Sequence, residues 1–166
     1  MPRFVLPLLF LAACHKDAPA PPVPAVTPSV PEAGAKQLGG SDIVTELQTE
    51  AANRPKGTTS VEQVIAAVEG LGTKMTHRQV LASPLKAHYC ENGSTAAGLG
   101  MSICEFDDAA KAGAGKERSL EIFKKFGKRT LLVNGATLLT VTEPETPSAM
   151  AEKDKVLALF PSLSSK

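Results

Sequence analysis

Prolines decide how much of this chain can fold. Pro19, Pro21, Pro22, Pro24, Pro28 and Pro31 alternate with Ala, Val and Ser between His15 and Gly40. Each proline fixes φ and removes a backbone donor, so the stretch favours extended polyproline II over a helix or a central strand. At roughly 3.1 Å per residue it reaches several tens of ångströms. A proline-motif ligand is an alternative use of such a stretch; a spacer accounts for it more simply. Gly39-Gly40 ends it, and a single folded domain is expected over residues 41–166. That length can bury a core without extra staples.

Ahead of the prolines, Arg3 and the amino terminus supply positive charge. Phe4 to Leu11 forms a short apolar run, and Leu11-Ala12-Ala13 leads into Cys14. This order of charged, apolar and small residues is that of an export signal. The run is too short to cross a bilayer, which takes about 20 apolar residues. The Leu11-Ala12-Ala13-Cys14 junction closely resembles the lipobox of bacterial lipoproteins, a likeness confined to residues 1–14. It implies cleavage before Cys14, lipidation of the Cys14 sulfur and acylation of the new amino terminus. Residues 1–13 are then a signal peptide and residues 14–40 a lipidated tether. Each buried CH₂ contributes about 0.8 kcal/mol, and stable anchoring takes two signals, so the three implied chains hold the protein on the bilayer essentially permanently. The expected partner is that bilayer, and the expected location is the bacterial cell envelope. His15, not aspartate, follows Cys14; in such lipoproteins this suits the outer membrane, facing the periplasm.

Charge excludes several classes. Loss of residues 1–13 removes Arg3, which leaves 17 basic residues against 17 acidic ones. No basic excess argues for nucleic acid and no acidic run argues for calcium. Only Tyr89, Phe106, Phe123, Phe126 and Phe160 supply aromatic rings beyond the signal, too few for base- or sugar-stacking platforms.

Within the domain, Asp42 to Ala52 reads as a weak helix with Ile43, Leu47 and Ala51 on one face. Ser60 and Gln63 form a capping-box pattern ahead of Val61, Val64, Ile65 and Val68, whose spacing marks one helical face. Arg78–Ala82, Leu85–Glu91 and Leu99–Phe106 read as strands, with Asn92-Gly93-Ser94 and Gly98 as the turn-rich connection between the last two. Asp107-Asp108 caps a helix that runs poorly through Gly113 and Gly115, then buries Leu120, Phe123 and Phe126 and ends at Gly127. Asn134-Gly135 between two apolar runs specifies a two-residue hairpin. Thr146 and Pro147 start a last helix, docked by Val156, Leu157 and Phe160. A βαβ unit over Leu99–Val133 is conceivable, but the hairpins favour an α+β fold: an antiparallel-rich sheet of about five strands with helices packed on one face.

Once Cys14 is lipidated, Cys90 and Cys104 remain as an even pair in an oxidising compartment. A turn centred near Ala97 sets them opposite each other, in reach of a disulfide, which stabilises by about 3 kcal/mol in the chain-entropy picture. Two sharper readings stay open. His77, His88, Cys90 and Cys104 supply four N/S donors for a metal, though His88-Tyr89-Cys90 lacks the usual knuckle spacing. Cys90 or Cys104 as a nucleophile needs a partner histidine and a low thiol pKa. Ala112 to Lys116 only faintly resembles a phosphate loop, because Ala110 and Glu117 replace its glycine and its Ser/Thr. No cofactor motif is present. The expectation is a tethered, non-catalytic module that binds an envelope protein or a small ligand. The alternative is a small periplasmic metal-binding protein or thiol-dependent enzyme using the His88/Cys90 region.

Overall fold

The structure is a computed structural model that describes residues 40–164 apart from Gly57; the signal segment, Cys14 and the tether lie outside the described residues. Helix α1 spans Gly40–Ala52 and α2 Val61–Glu69, followed by strand β1, Met75–Val80. A 3₁₀ turn over Ser83–Leu85 leads to β2, Tyr89–Thr95, and β3, Gly100–Glu105. Then come α3 (Ala109–Ile122), β4 (Arg129–Asn134), β5 (Thr137–Thr142), α4 (Pro147–Leu159) and a 3₁₀ turn over Phe160–Ser162. The strands form one five-stranded sheet, ordered β1-β2-β3-β5-β4, with every neighbouring pair antiparallel. The fold is α+β, as the sequence led us to expect. Because β3 and β4 both run against β5, they are parallel to each other, and β3-α3-β4 is a split βαβ unit with β5 in the gap. No helix among the described residues is long and apolar enough to cross a membrane.

Local chemistry explains the starts of the helices. The Ser60 hydroxyl accepts from Gln63 N at 3.2 Å, and the Gln63 side chain accepts from Ser60 N at 2.8 Å, which completes the capping box. Asp108 caps α3 through Lys111 N, and Thr146 caps α4 through Ala149 N.

The strands carry apolar residues of both parities, so both sheet faces need cover. Tyr89, Met101, Ile103, Leu139 and Val141 pack with α2, α4 and Phe160 on one face. Cys90, Cys104, Phe106, Leu131 and Leu138 pack on the other with Ala112 of α3 and Leu85. The helices are therefore split between the two faces, which corrects the expectation of a single covered face.

Three local expectations also change. Asn92-Gly93-Ser94 lies inside β2, where it pairs with Arg78, His77 and Thr76 of β1. Gly93 is there for close approach, since a Cβ would sit 2.4 Å from the Thr76 carbonyl oxygen. The Cys90–Cys104 hairpin instead turns after Thr95, and Gly98 donates to the Thr95 carbonyl. Second, the two-residue loop of the last hairpin is Gly135-Ala136, with Asn134 paired to Thr137. Only Gly135 has positive φ there, the pattern of a type II′ turn. Asn134 Nδ2 is free to donate to the carbonyls of Phe160 and Leu163, which fastens the C-terminal turn. Third, α3 turns its small side inward: Ala112, Gly115 and Ser119 are buried, while Leu120 and Phe126 are 42% and 70% exposed. The helix stops at Ile122, short of Phe126.

The inward small side follows from Phe106. Its ring is fully buried, and a Cβ on Gly115 would meet Phe106 Cζ at 2.3 Å, whereas one on Gly113 meets nothing within 4 Å. The two glycines should therefore respond oppositely to alanine. Gly113→Ala should stabilise by about 0.5–1 kcal/mol through helix propensity. Gly115→Ala should destabilise by about 1–3 kcal/mol through overpacking. Urea unfolding of both variants checks this, and effects of the same sign would contradict the close helix–sheet contact.

Candidate functional site

Chemistry on the α3 side of the sheet follows from its cross-strand rows. Val80, Cys90, Cys104, Leu138 and Val133 form an apolar row. The next row is Arg78, Asn92, Ser102, Thr140 and Leu131, and beyond it Thr142 pairs with Arg129. α3 and the Ser83–Leu85 turn cover Cys90, Cys104 and Leu138 of the first row and leave much of the polar rows open, so that Asn92 and Thr142 are exposed and Ser102 half-buried, while Thr140 is buried. The result is a cleft of about 470 Å³, a size suited to a small molecule.

The cleft has three kinds of surface. Asn92, Ser102 and Thr140 make its floor, beside the Cys90–Cys104 disulfide. Val80, Leu81, Pro84 and Leu85 make an apolar wall, and Phe123 and Arg129 stand opposite. The side chains of Asn92 and Thr140 have no hydrogen-bond partner among the described residues, and the Ser102 hydroxyl contacts only Cys104 Sγ, at 4.0 Å. Arg129 Nη2 donates to the Phe123 carbonyl at 2.9 Å, and its guanidinium carbon lies 5.2 Å from the Phe123 ring centroid. Arg129 Nε is buried without an acceptor. Among the described residues no histidine, lysine or carboxylate lines the cleft, so none of them stands beside Ser102 as a general acid or base.

The residues singled out in the sequence fall in separate places. Cys90 and Cys104 are disulfide-bonded, directly opposite each other in the β2–β3 register, with Cα atoms 4.2 Å apart. Neither presents a thiolate to a metal or a substrate in this state. His77 Nδ1 lies 2.5 Å from Glu91 Oε2, while His88 Nε2 lies 2.6 Å from Asp107 Oδ1 at the start of α3. Among the described residues no three His, Cys, Asp or Glu side chains come together as metal ligands. The structure thus does not assemble His77, His88, Cys90 and Cys104. Cys14 lies outside the described residues. Asn92, Ser102, Thr140 and Arg129 were not visible as a site in the sequence. The available signal was hydroxyl or amide residues spaced by two, such as Ser102 and Thr140/Thr142, on strands whose other parity is apolar.

A second polar cluster occupies the opposite sheet face, and it is structural. Glu105 is buried and accepts from Arg54 Nε at 2.9 Å, Arg54 Nη2 at 2.5 Å and Val61 N at 2.7 Å. Arg54 also grips Glu62 through Nη1 and Nη2 and stacks 4.1 Å from the Tyr89 ring centroid. Tyr89 in turn donates to Glu91 Oε1 at 2.6 Å. Burial, and then this bond to Glu91, pushes the Tyr89 hydroxyl well above its ordinary range. The Arg54 bonds hold the Glu62 carboxyl down at about 2. Burial raises Glu50, whose Oε1 accepts from Ala82 N and Ser83 N and so fastens α1 to the segment after β1. Asp107 is lowered by Lys111 and then by His88.

Glu62 gives the cluster an acid signature. The folded state favours its carboxylate, so the stabilisation is complete above the unfolded value, about 4.3, and is lost as pH falls towards 2. Glu62 is 59% exposed, which limits the contribution to about 0.5–1 kcal/mol. Glu62→Gln should therefore unfold at lower urea than the wild type at neutral pH, and the gap should close as pH approaches 2. A gap independent of pH would contradict the Arg54–Glu62 pairing.

Compared with protein-family models, curated proteins and solved structures, the chain matches none of them.

Proposed function

We propose that this chain is a bacterial envelope lipoprotein whose α+β domain is a non-catalytic module that takes a small ligand in the half-covered sheet face. Acylated Cys14 anchors it, in the outer membrane facing the periplasm, and the proline tether of residues 15–39 holds the domain away from the bilayer. Support for the anchor is the lipobox-like junction followed by that tether. Support for the binding role is one observation: Asn92 and Thr140 side chains and an Arg129 Nε that have no hydrogen-bond partner among the described residues converge in a cleft of about 470 Å³. Polar groups with spare hydrogen-bonding capacity, set beside an apolar wall, are what orients a ligand. Among the described residues the cleft has no acid, base or free thiol, which disfavours a thiol-dependent enzyme.

A second reading, docking of an envelope protein, is favoured by Phe126. It is 70% exposed and flanked by Lys124, Lys125 and Lys128.

Both halves of the proposal are open to test. Expressed in a bacterial host, the protein should label with radioactive palmitate and sediment with membranes, and Cys14→Ser should do neither; membrane retention of the serine variant contradicts the anchor. The full chain carrying Cys14→Ser, screened against small soluble fragments by ligand-observed NMR, should give hits. Ser102→Phe, which fills the cleft floor, should lose them while unfolding cooperatively. Hits that all survive Ser102→Phe, or no hits at all, contradict the cleft.

A further inference from the structure

Among the described residues, Arg129 is the only ionisable side chain lining the cleft, and its charge is left without a counter-ion there. Among the described residues no carboxylate pairs with it. Glu121 of α3 is engaged by Lys124, and Glu143, just after β5, by Lys153. A guanidinium carries five donors; here one reaches the Phe123 carbonyl, and Nε is buried with none. The Phe123 bond has its own explanation, because Phe123 caps the C-terminus of α3, where a cation is favourable. That capping accounts for one donor, and the other donors of the fork have no acceptor among the described residues. A partly desolvated cation without a counter-charge is costly, and the bond to the Phe123 carbonyl together with the Phe123 ring 5.2 Å away holds the group in place, so it is pre-organised and lacks only its acceptor.

We infer that Arg129 is an oxyanion receptor and that the ligand is a small amphiphilic molecule bearing a carboxylate or phosphate at that end. The inference rests on the cleft being the binding site. The anionic group pairs with the Arg129 fork, which matches the two oxygens of such a group. The hydrocarbon body extends from Arg129 over the floor toward Leu85, the wall residue in the apolar cluster that Phe123 packs against. Asn92, Ser102 and Thr140 on the floor select for hydrogen-bonding groups between the two ends. Arg78 sits in the same cross-strand system but on β1, at the opposite sheet edge, about 19 Å away at four inter-strand spacings. It does not line the cleft and serves as a control for bulk charge.

The test uses the full chain with Cys14→Ser and three probes of one shape: benzoate, phenyl phosphate and benzyl alcohol, titrated by amide chemical shift. The oxyanion probes should bind about tenfold tighter than the alcohol, the value of a charge-assisted hydrogen bond, and the preference should shrink with added salt. Arg129→Gln should abolish the preference but keep weak binding of the alcohol. Arg129→Lys, which retains the charge and the helix cap, should keep part of the preference and guards against a folding defect. Arg78→Gln should change nothing. Benzoate ahead of phenyl phosphate assigns a carboxylic acid, the reverse a phosphate ester, and either supports the inference. Equal affinity for all three probes, or a preference that survives Arg129→Gln, overturns it and leaves the cleft standing. No perturbation by any probe overturns the cleft as well.

Discussion

The fold turns on one buried charge. Glu105 sits at the end of the central strand with 1% of its surface exposed, where a carboxylate left alone is strongly destabilising. It persists because Arg54, 51 residues away in sequence, meets it with two donors, and because the first amide of α2 supplies a third. That single carboxylate thus fixes the loop after α1, the start of α2 and the face of the sheet α2 covers. Arg54 then lies flat on Tyr89, whose hydroxyl holds Glu91, which holds His77. A line of polar contacts therefore runs from α2 to the β1 edge without leaving that face.

With α2 and α4 committed there, the other face is covered, among the described residues, by α3 and the Ser83–Leu85 turn. The 14 residues of α3 make a cylinder about 21 Å long, and the contact with Phe106 draws it toward the far ends of β3 and β5. Gly115 and Ala112 let it settle close. The opposite ends of the strands stay uncovered, and there the outward residues are Asn, Ser and Thr instead of Val and Leu. The Cys90–Cys104 bond marks the boundary between the two regimes. It ties the two strands that carry Asn92 and Ser102, so the floor of the cleft is the part of the sheet least free to shear.

What could be read from the sequence was what is local. The Ser60/Gln63 capping box, the Thr146-Pro147 start and the pairing of Cys90 with Cys104 need only residues close along the chain. Gly93 misled because glycine serves close approach as well as turns, and only the neighbouring strand shows which. The inward face of α3 is hidden in the sequence because large apolar residues outweigh small ones in a pattern, while Phe106 demands small ones. Asn134 has the sequence context of a turn residue, and its amide instead fastens a segment 26 and 29 residues on. Glu105 and Arg54 leave no local trace. Arg129 is the least legible of all, because nothing near it in sequence marks a guanidinium whose Nε is buried without an acceptor.

Ligand position is the most direct measure of this account. Backbone amide and methyl shifts of the full chain with Cys14→Ser, followed while a fragment hit is titrated, locate it residue by residue. The perturbations should centre on Asn92, Ser102, Thr140 and Leu85 and leave α2 and α4 unmoved. Perturbations centred on Phe126, or on the Glu105–Arg54 face, would contradict the assignment of the cleft.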